Sequence, residues 1–416
     1  MRKTKRFVIA FIFIFFIIFL VSQAISIEKK DETFKALRIF SQVFRLIEEN
    51  YVSEVNPKDL IFGAIDGMLS SLDPHSSLMK PDEFKELEIE TKGSFTGIGI
   101  EITIKDDILT VVAPIEDTPA WKAGIKPGDR ILKIDDKSTK GMKINEAVKL
   151  LRGPKGTAVK LTILRNDKDI KEITLIRDVI PIRSVKAKLL EPGYGYIRIS
   201  QFQEKTLQEL VQSLKELEKG GELKGLILDL RNNPGGLLSS AVEVSDEFLE
   251  NGTIVSIKGK NKSNQMEFKA EPNPKDRKHK YPIVILINHG TASAAEIVTG
   301  ALKDHKRALV IGEKSFGKGS VQTVIPIEDN YAVRLTTALY YTPSGVSINK
   351  QGIKPDIEIP QKELSLKKVK EEKEVDEESG NQTIKSIFSL DLDKDLQVQM
   401  ALTILKNLEI ISQLKY

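Results

Sequence analysis

Hydrophobic positions near the N-terminus follow a helical period. Five large apolar residues recur at spacings of three and four, which is typical of one face of a helix: Leu37, Phe40, Phe44, Ile47 and Tyr51. Asn56 and Pro57 then supply an N-cap and a first-turn proline for a second helix that ends near Leu72. The pattern predicts a helical hairpin that packs on the main body, with a dimer contact as the alternative.

Residues 92–178 instead consist of short alternating runs separated by turn signals. A Lys-Pro-Gly-Asp turn precedes a strand-like run at 130–134, and a second alternating run covers 157–165. A short helical pattern lies between them at 145–151. The segment is therefore predicted to be a small β-rich module with one or two helices.

Residues 190–360 show a third pattern, in which short and almost continuous apolar runs alternate with helical periodicity. The runs lie at 225–230, 283–287 and 308–311. Such runs are typical of strands that are buried on both faces of a parallel sheet. Helical patterns at 238–249 and 294–302 separate them, so this part is predicted to have an α/β fold.

The two ends of the chain differ from this body. Twelve of the 17 residues in 362–378 are charged, which predicts a solvated linker. A closing amphipathic helix is predicted beyond it, with one face formed by Leu396, Met400, Ile404, Leu408 and Ile411.

The N-terminus has the pattern of an export signal. Four basic residues precede an unbroken apolar run from Phe7 to Val21, and the small-x-small sequence 22–24 follows it. A 15-residue run spans about 22 Å as a helix, whereas the uncharged stretch to Ile27 spans about 31 Å and is long enough to cross a bilayer. A cleaved signal peptide and a retained membrane anchor therefore both stay open. In either case the basic residues stay in the cytoplasm and the rest lies outside it.

Composition and charge exclude several function classes. The chain has no cysteine, which excludes disulfides, thiolate metal sites and a cysteine nucleophile. Its four histidines form no i,i+4 pair, and we predict neither a metal nor a cofactor. The net charge of +4 equals the four basic residues of 1–27, so the remainder is neutral at 59 − 59. Nucleic acid is therefore not an expected partner.

One segment resembles a phosphate-binding loop and is rejected as such. Residues 312–318 fit the first seven positions of a P-loop, but Gly319 takes the place of the hydroxyl residue that holds magnesium. The following stretch, 321–341, is strand-like rather than helical.

A serine lies where a predicted strand passes into a predicted helix. The hydroxyl of Ser293 would lie at the positive end of the helix dipole, with the N–H of Ala294 directed at a developing oxyanion. The sequence does not match the G-x-S-x-G nucleophile elbow. On this segment alone, a plain helix cap by Ser293 or Thr291 is the stronger interpretation.

The base for such a serine would be a lysine. His289 and His305 are poorly placed along the chain, whereas Lys318 lies between two glycines that allow a close backbone approach. We expect burial beside Phe316 and Val321 to lower the lysine pKa. If the chain is extended here, Gln322 would lie on the same face of the strand as Lys318. The alternative is that Lys318 is an ordinary solvated lysine.

Together these features resemble the carboxy-terminal processing proteases, also called tail-specific proteases, from about residue 33 to residue 360. The motifs that carry the resemblance are 72–76 (LDPHS), 96–99 (TGIG), 127–131 (PGDRI), 229–236 (DLRNNPGG), 291–296 (TASAAE) and 316–322 (FGKGSVQ). The resemblance implies a crotonase/ClpP-like α/β core with a Ser–Lys dyad. It assigns Ser293 as nucleophile, Lys318 as general base and Gln322 as the residue that holds the lysine.

The resemblance also implies an oxyanion site and a peptide-binding module. The oxyanion donors would be the N–H of Ala294 and that of either Gly235 or Gly236, a choice that the sequence leaves open. Residues 92–178 resemble a PDZ domain inserted into the chain, and its carboxylate loop would be formed by Gly97, Ile98, Gly99 and Ile100. A free C-terminus would meet their N–H groups while the peptide adds a strand beside 99–104. A simple G-x-G turn is the alternative.

The predicted organisation has five parts. They are a signal peptide or membrane anchor at 1–27, a helical segment at 28–91, the PDZ domain at 92–178, the α/β protease core at 179–360, and the charged linker with the C-terminal helix at 361–416. The predicted function is that of an exported serine endopeptidase, periplasmic or otherwise extracytoplasmic, which selects protein substrates by apolar C-terminal tails. Its predicted partners are those tails and the cytoplasmic membrane, and a homo-oligomer stays open. A non-catalytic PDZ scaffold at the membrane is the first alternative, and a crotonase-like acyl-CoA enzyme is the second.

Overall fold

The computed structural model describes residues 32–105, 108–166, 168–260, 265–272, 279–360 and 392–414. The predicted export segment at 1–27 and the predicted charged linker at 362–378 lie outside these residues. Within the described ranges, no helix combines the length and apolarity needed to cross a membrane. The chain divides into two compact units, Met1–Leu78 and Met79–Tyr416.

Helices and strands of the described residues are numbered in chain order. The helices are α1 at 32–50, α2 Pro57–Ser70, α3 Pro81–Lys92, α4 Pro119–Lys122, α5 Ile144–Leu151, α6 Thr206–Leu217, α7 Leu238–Phe248, α8 Ala294–Asp304 and α9 Leu396–Leu414. The first strands are β1 Ser77–Met79, β2 Ser94–Gly97, β3 Ile100–Lys105, β4 Ile108–Pro114, β5 Arg130–Ile134, β6 Lys137–Ser138, β7 Ala158–Arg165, β8 Asp169–Ile176 and β9 Asp178–Pro181. The later strands are β10 Val185–Glu191, β11 Tyr194–Ile199, β12 Gly225–Asp229, β13 Thr253–Gly259, β14 Met266–Lys269, β15 Ile283–Ile287, β16 Ala308–Gly312, β17 Ser320–Pro326, β18 Ala332–Tyr341 and β19 Ile357–Glu358.

The first unit contains the two predicted helices, α1 and α2. The side chain of Asn56 accepts the N–H of Lys58 at 3.0 Å, and Pro57 lies in the first turn, so the predicted start of α2 is confirmed. The rings of Phe40 and Phe44 lie 6.5 Å apart on α1. Most apolar side chains of this helix remain exposed, with Leu37 at 55%.

The β-rich module is an antiparallel sheet in the order β3-β4-β5-β7-β8, with β6 beside β5. Alternate residues of its strands form a separate apolar core that includes Leu109, Ile131 and Leu161. The helix α5 adds Ala147 and Leu151 to that core. Strands β2 and β9 pair as a two-stranded ribbon at the base of the module. The predicted small β-rich module with short helices is confirmed.

The second module is built on a six-stranded sheet in the order β10-β11-β12-β15-β16-β19. All its pairs are parallel except β10 with β11. Because side chains alternate across a strand, β12 and β15 contribute side chains to two separate apolar cores. One core contains residues of α6, α7 and α8, and the other contains residues of α9. The predicted parallel α/β sheet is therefore confirmed, with helices on both faces.

A further sheet lies over the α8 side of this body. It contains the β17–β18 hairpin, and β13 pairs with both β18 and β14. Ile257 on β13 and Tyr340 on β18 belong to the same apolar core as α8. The stretch after Gly319 is a strand rather than a helix, in agreement with the rejection of a P-loop.

The helix α9 exists where predicted, and its predicted apolar face is correct only in part. Leu396 and Ile404 pack against the core, whereas Met400 and Leu408 are each 40% exposed. The fully buried apolar side chains in the described part of the helix are Val398, Ala401 and Leu405. A stripe drawn at intervals of four residues drifts about 40° per step on a helix of 3.6 residues per turn, so it does not follow the buried face.

Candidate active site

Ser293 lies on a sharp turn between β15 and α8. Its φ is 55° and its ψ is −118°, a backbone conformation that side-chain-bearing residues rarely adopt. The residue is 8% exposed. The Thr291 hydroxyl donates to the carbonyl of Leu230 at 2.9 Å and so fixes the turn against the end of β12. Although the G-x-S-x-G sequence is absent, the serine occupies the same kind of strained strand-to-helix turn.

The hydroxyl of Ser293 contacts a tyrosine that the sequence analysis did not single out. Ser293 Oγ lies 3.0 Å from the hydroxyl oxygen of Tyr340. Tyr340 is 5% exposed, and burial raises its pKa above the ordinary value for a phenol. The phenol is therefore a neutral hydrogen-bond partner for the serine.

A second residue that was missed is Glu296, whose carboxylate is fully buried. One oxygen, Oε2, accepts the backbone N–H groups of Ser293 and Lys318, each at 2.9 Å. The other, Oε1, accepts the Gly317 N–H at 2.8 Å and the Ser315 hydroxyl at 2.5 Å. Burial raises the pKa of this carboxyl, while the four hydrogen bonds act in the opposite direction. Glu296 thus joins the serine turn to the lysine loop.

The backbone of Lys318 is fixed by the glycines beside it. A Cβ atom at Gly319 would lie 2.3 Å from the backbone nitrogen of Asn349, and one at Gly317 would lie 2.9 Å from that of Gly352. The close approach that these glycines permit is therefore to another part of the chain itself. Gly317 also has a φ of 91°, which favours glycine.

The side chain of Lys318 is half-buried. Burial lowers the lysine pKa below its ordinary value, and the positive charge of Arg334 on β18 lowers it further. Of the two apolar neighbours expected to bury it, Phe316 is 62% exposed, whereas Val321 packs against the core. No pattern in the sequence pointed to Arg334, which comes near the lysine through the pairing of β17 with β18.

Gln322 does not contact the lysine in this structure. Its amide nitrogen donates to the Ser320 hydroxyl at 2.7 Å and lies 3.5 Å from the Thr336 hydroxyl oxygen. A register shift between Val321 and Gln322 interrupts the regular alternation along β17. Simple alternation of side chains along a strand therefore does not place Lys318 and Gln322 on one face.

The glycines at 235 and 236 lie against the serine turn. A Cβ atom at Gly235 would lie 2.7 Å from that of Ser293 and 3.0 Å from the backbone nitrogen of Ala294. The N–H of Gly235 donates to the Asn233 side chain at 2.9 Å. Gly236 has a φ of 133° and passes so close to Phe202 that a Cβ atom would lie 2.1 Å from its carbonyl oxygen.

A buried ionic cluster stands directly before this glycine turn. The Arg231 guanidinium is 1% exposed and contacts the carboxylates of Asp229 at 2.7 Å and Asp395 at 2.8 Å. Burial opposes ionisation of Asp229, yet Arg231 keeps the pKa of that carboxyl below its usual value. The Tyr196 hydroxyl donates to the same carboxylate at 2.7 Å. The C-terminal segment is thereby tied to the strand that leads into the turn.

The four predicted PDZ-loop residues line one groove of the β-rich module. Gly97, Ile98, Gly99 and Ile100 border a cavity of about 80 Å³. Ile102 and the α5 residues Val148 and Leu151 form its apolar wall. Gly99 has a φ of 79°, and a Cβ atom there would lie 2.3 Å from that of Thr118. The loop conformation therefore requires glycine.

No group of three or more His, Asp or Glu side chains within the described residues is arranged to hold a metal ion.

Family models match three parts of the chain. Residues 193–359 match the model described as peptidase family S41, and residues 110–165 match a PDZ domain. Residues 21–83 match the model described as the activating protease CtpB N-terminal domain.

Individual relatives cover most of the sequence. The carboxy-terminal-processing protease of Bartonella bacilliformis is 46% identical over 366 residues, which are 87% of this chain and 83% of the relative. The carboxy-terminal processing protease CtpA of Bacillus subtilis is 42% identical over 319 residues, 76% of this chain and 67% of the relative. A solved structure, the photosystem II D1 C-terminal processing protease, is 32% identical with a TM-score of 0.44, and the match covers 77% of this chain and 92% of that one.

These matches confirm the resemblance, the α/β fold with a PDZ domain, and the assignment as a serine-type peptidase. The chain belongs to the carboxy-terminal processing proteases, within peptidase family S41.

Proposed function

We propose that this protein is an exported serine endopeptidase that binds proteins by their C-terminal tails and cleaves near them through Ser293 and Lys318. The observation that carries the proposal is the shared carboxylate of Glu296, which holds the backbones of both residues within one hydrogen bond of a common oxygen. A serine on a strained turn and a lysine of lowered pKa are thereby kept on neighbouring loops.

The chemistry is acyl transfer. Neutral Lys318 takes the hydroxyl proton of Ser293, and Oγ attacks the scissile carbonyl carbon. The tetrahedral intermediate collapses to an acyl-enzyme as the amine leaves with the proton from Lys318. Water, deprotonated by the same lysine, then hydrolyses the ester.

The oxyanion would be held by two backbone N–H groups. Ala294 begins α8, so its N–H lies at the positive end of that helix. Of the two glycines, Gly235 already donates its N–H to Asn233. We therefore assign the second donor to Gly236, which lies at the entrance of the same turn.

Gln322 would hold the lysine amine in the substrate-bound enzyme. Its side chain would exchange the hydrogen bond to Ser320 for one to Lys318. The two residues are four positions apart, and the bulge in β17 lies between them.

The PDZ groove would bind the substrate tail. An extended peptide added beside β3 would direct its carboxylate at the N–H groups of residues 98–100. The side chains of Ile102, Val148 and Leu151 favour an apolar last residue. The relatives named for carboxy-terminal processing support this substrate class.

Export is proposed from the signal-like sequence of residues 1–27, which would leave the protease outside the cytoplasm, free or membrane-anchored.

The proposed function is tested with a peptide that carries a free apolar C-terminus and an internal cleavage site. We expect the full chain to cleave it and the Ser293→Ala protein to be inactive with an unchanged circular dichroism spectrum. Cleavage by a folded Ser293→Ala protein would refute the nucleophile. Binding without cleavage by the wild-type chain would favour the scaffold alternative.

A further inference from the structure

Tyr340 brings a side-chain hydroxyl beside the proposed reacting atom, Ser293 Oγ. Its oxygen lies 3.0 Å from Ser293 Oγ, and both residues are buried. The family motifs used above do not include this position. The contact with Ser293 depends on how the chain folds, because it joins β18 to the start of α8.

The position of this phenol is fixed from several sides. The backbone N–H of Tyr340 donates to the carbonyl of Gly319 at 2.8 Å, directly beside Lys318. On its other edge Tyr340 pairs with Ile257 of β13. The ring belongs to the main apolar core. A side chain held in this way keeps its hydroxyl at a constant place relative to the serine turn.

The protonation state of the phenol decides what it can do. Burial raises the pKa of Tyr340, the hydrogen bond with Ser293 acts in the opposite direction, and the nearby carboxylate of Glu296 again raises it, with a net increase. The group is thus a poor base and remains an O–H donor at the pH values at which a lysine base works. Oγ of a serine can accept this hydrogen and still give its own hydrogen to another group.

We propose that Tyr340 is a further catalytic residue, which donates a hydrogen bond to Ser293 Oγ while negative charge develops on that oxygen. The proposal rests on Ser293 being the nucleophile, as argued under the proposed function. A fixed donor aimed at an atom that gains charge in the transition state is the usual basis of electrostatic catalysis.

The same hydrogen bond serves both halves of the reaction. In acylation, the Lys318 amine takes the serine proton, the Oγ–carbon bond forms, and the carbonyl electron pair moves to the oxyanion. The pair then returns, the C–N bond breaks, and the amine leaves with the proton from Lys318. In deacylation, water adds to the ester carbon and gives a proton to Lys318, after which the Oγ–carbon bond breaks, its electron pair returns to Oγ, and the lysine ammonium restores the serine proton. Tyr340 keeps its own proton throughout, so no further acid or base is needed.

The contact also sets the direction of the serine hydrogen. When the phenol donates, the hydrogen of Ser293 is free to point at Lys318. If the serine donated to Tyr340 instead, the contact would hold the enzyme in an inactive state, and removal of the phenol hydroxyl would activate it. The two arrangements therefore predict opposite effects of one substitution.

Tyr340→Phe removes only this hydroxyl, and Tyr341→Phe is the matched control one residue later. Tyr341 is half-buried and has the Lys258 ammonium 4.6 Å from its ring centre, away from the serine contact. For Tyr340→Phe we expect kcat to fall roughly 10- to 100-fold, because one aimed donor is lost. KM and the melting temperature should stay close to the wild-type values, and Tyr341→Phe should leave kcat unchanged.

A second measurement addresses the serine without a peptide substrate. The rate at which a fluorophosphonate labels Ser293 should fall in Tyr340→Phe by a similar factor, with wild type and Tyr341→Phe equal. Ser293→Ala should not be labelled at all. If Ser293→Ala is labelled or active, the proposed nucleophile fails. If it is not, but Tyr340→Phe labels and cleaves at or above the wild-type rate, the catalytic role of Tyr340 is overturned.

Discussion

Ser293 and Lys318 donate their backbone N–H groups to the same oxygen of Glu296, each at 2.9 Å. Neither loop can shift without breaking a hydrogen bond to this fully buried carboxyl group. The distance between the proposed nucleophile and the proposed base is therefore set by the backbone and by the Glu296 side chain. Only the side-chain torsions of Lys318 then remain to be set.

Glu296→Gln is expected to weaken both stability and activity. The glutamine side chain keeps one acceptor oxygen. Its NH₂ group replaces the other oxygen, so the N–H donors on that side lose their acceptor. Leaving such groups unsatisfied costs about 1–3 kcal/mol. Urea unfolding and kcat measure the two effects. Glu216→Gln on the exposed side of α6 is the control, and wild-type activity in Glu296→Gln would contradict the bridging role.

Activity should rise with pH through one ionisation that lies below the ordinary lysine value of about 10.4. In the proposed mechanism the neutral Lys318 amine is the base, and its lowered pKa makes that form available at lower pH. Lys318→Arg should be folded and inactive, because a guanidinium does not give up its proton in proteins. A pH–rate profile of kcat/KM tests this.

Histidine variants provide the control for that profile. His289 is largely exposed, and a ring nitrogen of His305 contacts the carbonyl of Thr253 at 2.7 Å, so neither is arranged around the serine. Their replacement should leave the profile in place. Substantial activity of Lys318→Arg would show that the base is wrongly assigned.

Arg334→Gln should move the same profile to higher pH. The positive charge of Arg334 contributes to the lowered pKa of Lys318, although burial is the larger cause. Removing the charge therefore raises the pKa of Lys318 and leaves the larger effect of burial in place. Activity should fall at neutral pH and recover at higher pH. Arg183→Gln at an exposed position is the control, and an unmoved midpoint would exclude Arg334 as a contributor.

Amidation of a substrate tail should weaken its binding to the PDZ groove. The N–H groups at residues 98–100 would then face no charge, and charge-assisted hydrogen bonds contribute roughly 1.5–3 kcal/mol. A tenfold or greater loss of affinity is expected. Titration of free and amidated peptides into the Ser293→Ala protein separates binding from cleavage. Equal affinities would mean that the groove does not read the carboxylate.

Asp395→Asn should destabilise the protease core, whereas Asp393→Asn should not. Asp395 contacts the fully buried Arg231, while Asp393 is exposed. Loss of one charged partner is expected to cost about 1–3 kcal/mol in urea unfolding. Equal stability of Asp395→Asn and Asp393→Asn would refute the role of the Asp395 contact.

Asp229 remains ionised because its pKa is lowered. Its contribution to stability is therefore present above about pH 4 and is lost on further acidification.

The parts of the fold that were predicted correctly depend on local patterns. The run at 283–287 is a strand because it is apolar throughout, and that strand is β15, with the same bounds. The helix after Ser293 also begins where predicted. The family motifs, likewise local, led to Ser293 and Lys318 without any knowledge of their surroundings.

The parts that were missed depend on contacts between distant segments. The Tyr340 hydroxyl reaches Ser293 Oγ over a separation of 47 positions, and nothing near position 340 in the sequence indicates this contact. Arg334 affects Lys318 only through the pairing of two strands. Contact with the sheet likewise determines which face of α9 is buried. A helical period alone does not specify that face.

The contact between Arg231 and Asp395 has a consequence for the order in which the enzyme becomes functional. The two residues are 164 positions apart, and the arginine stands directly before the glycine turn of the proposed oxyanion site. Until α9 has packed on the sheet, the guanidinium has only part of its counter-charge, that of Asp229. The strand that leads into this turn therefore gains its complete set of ionic contacts only when the C-terminal helix is in place.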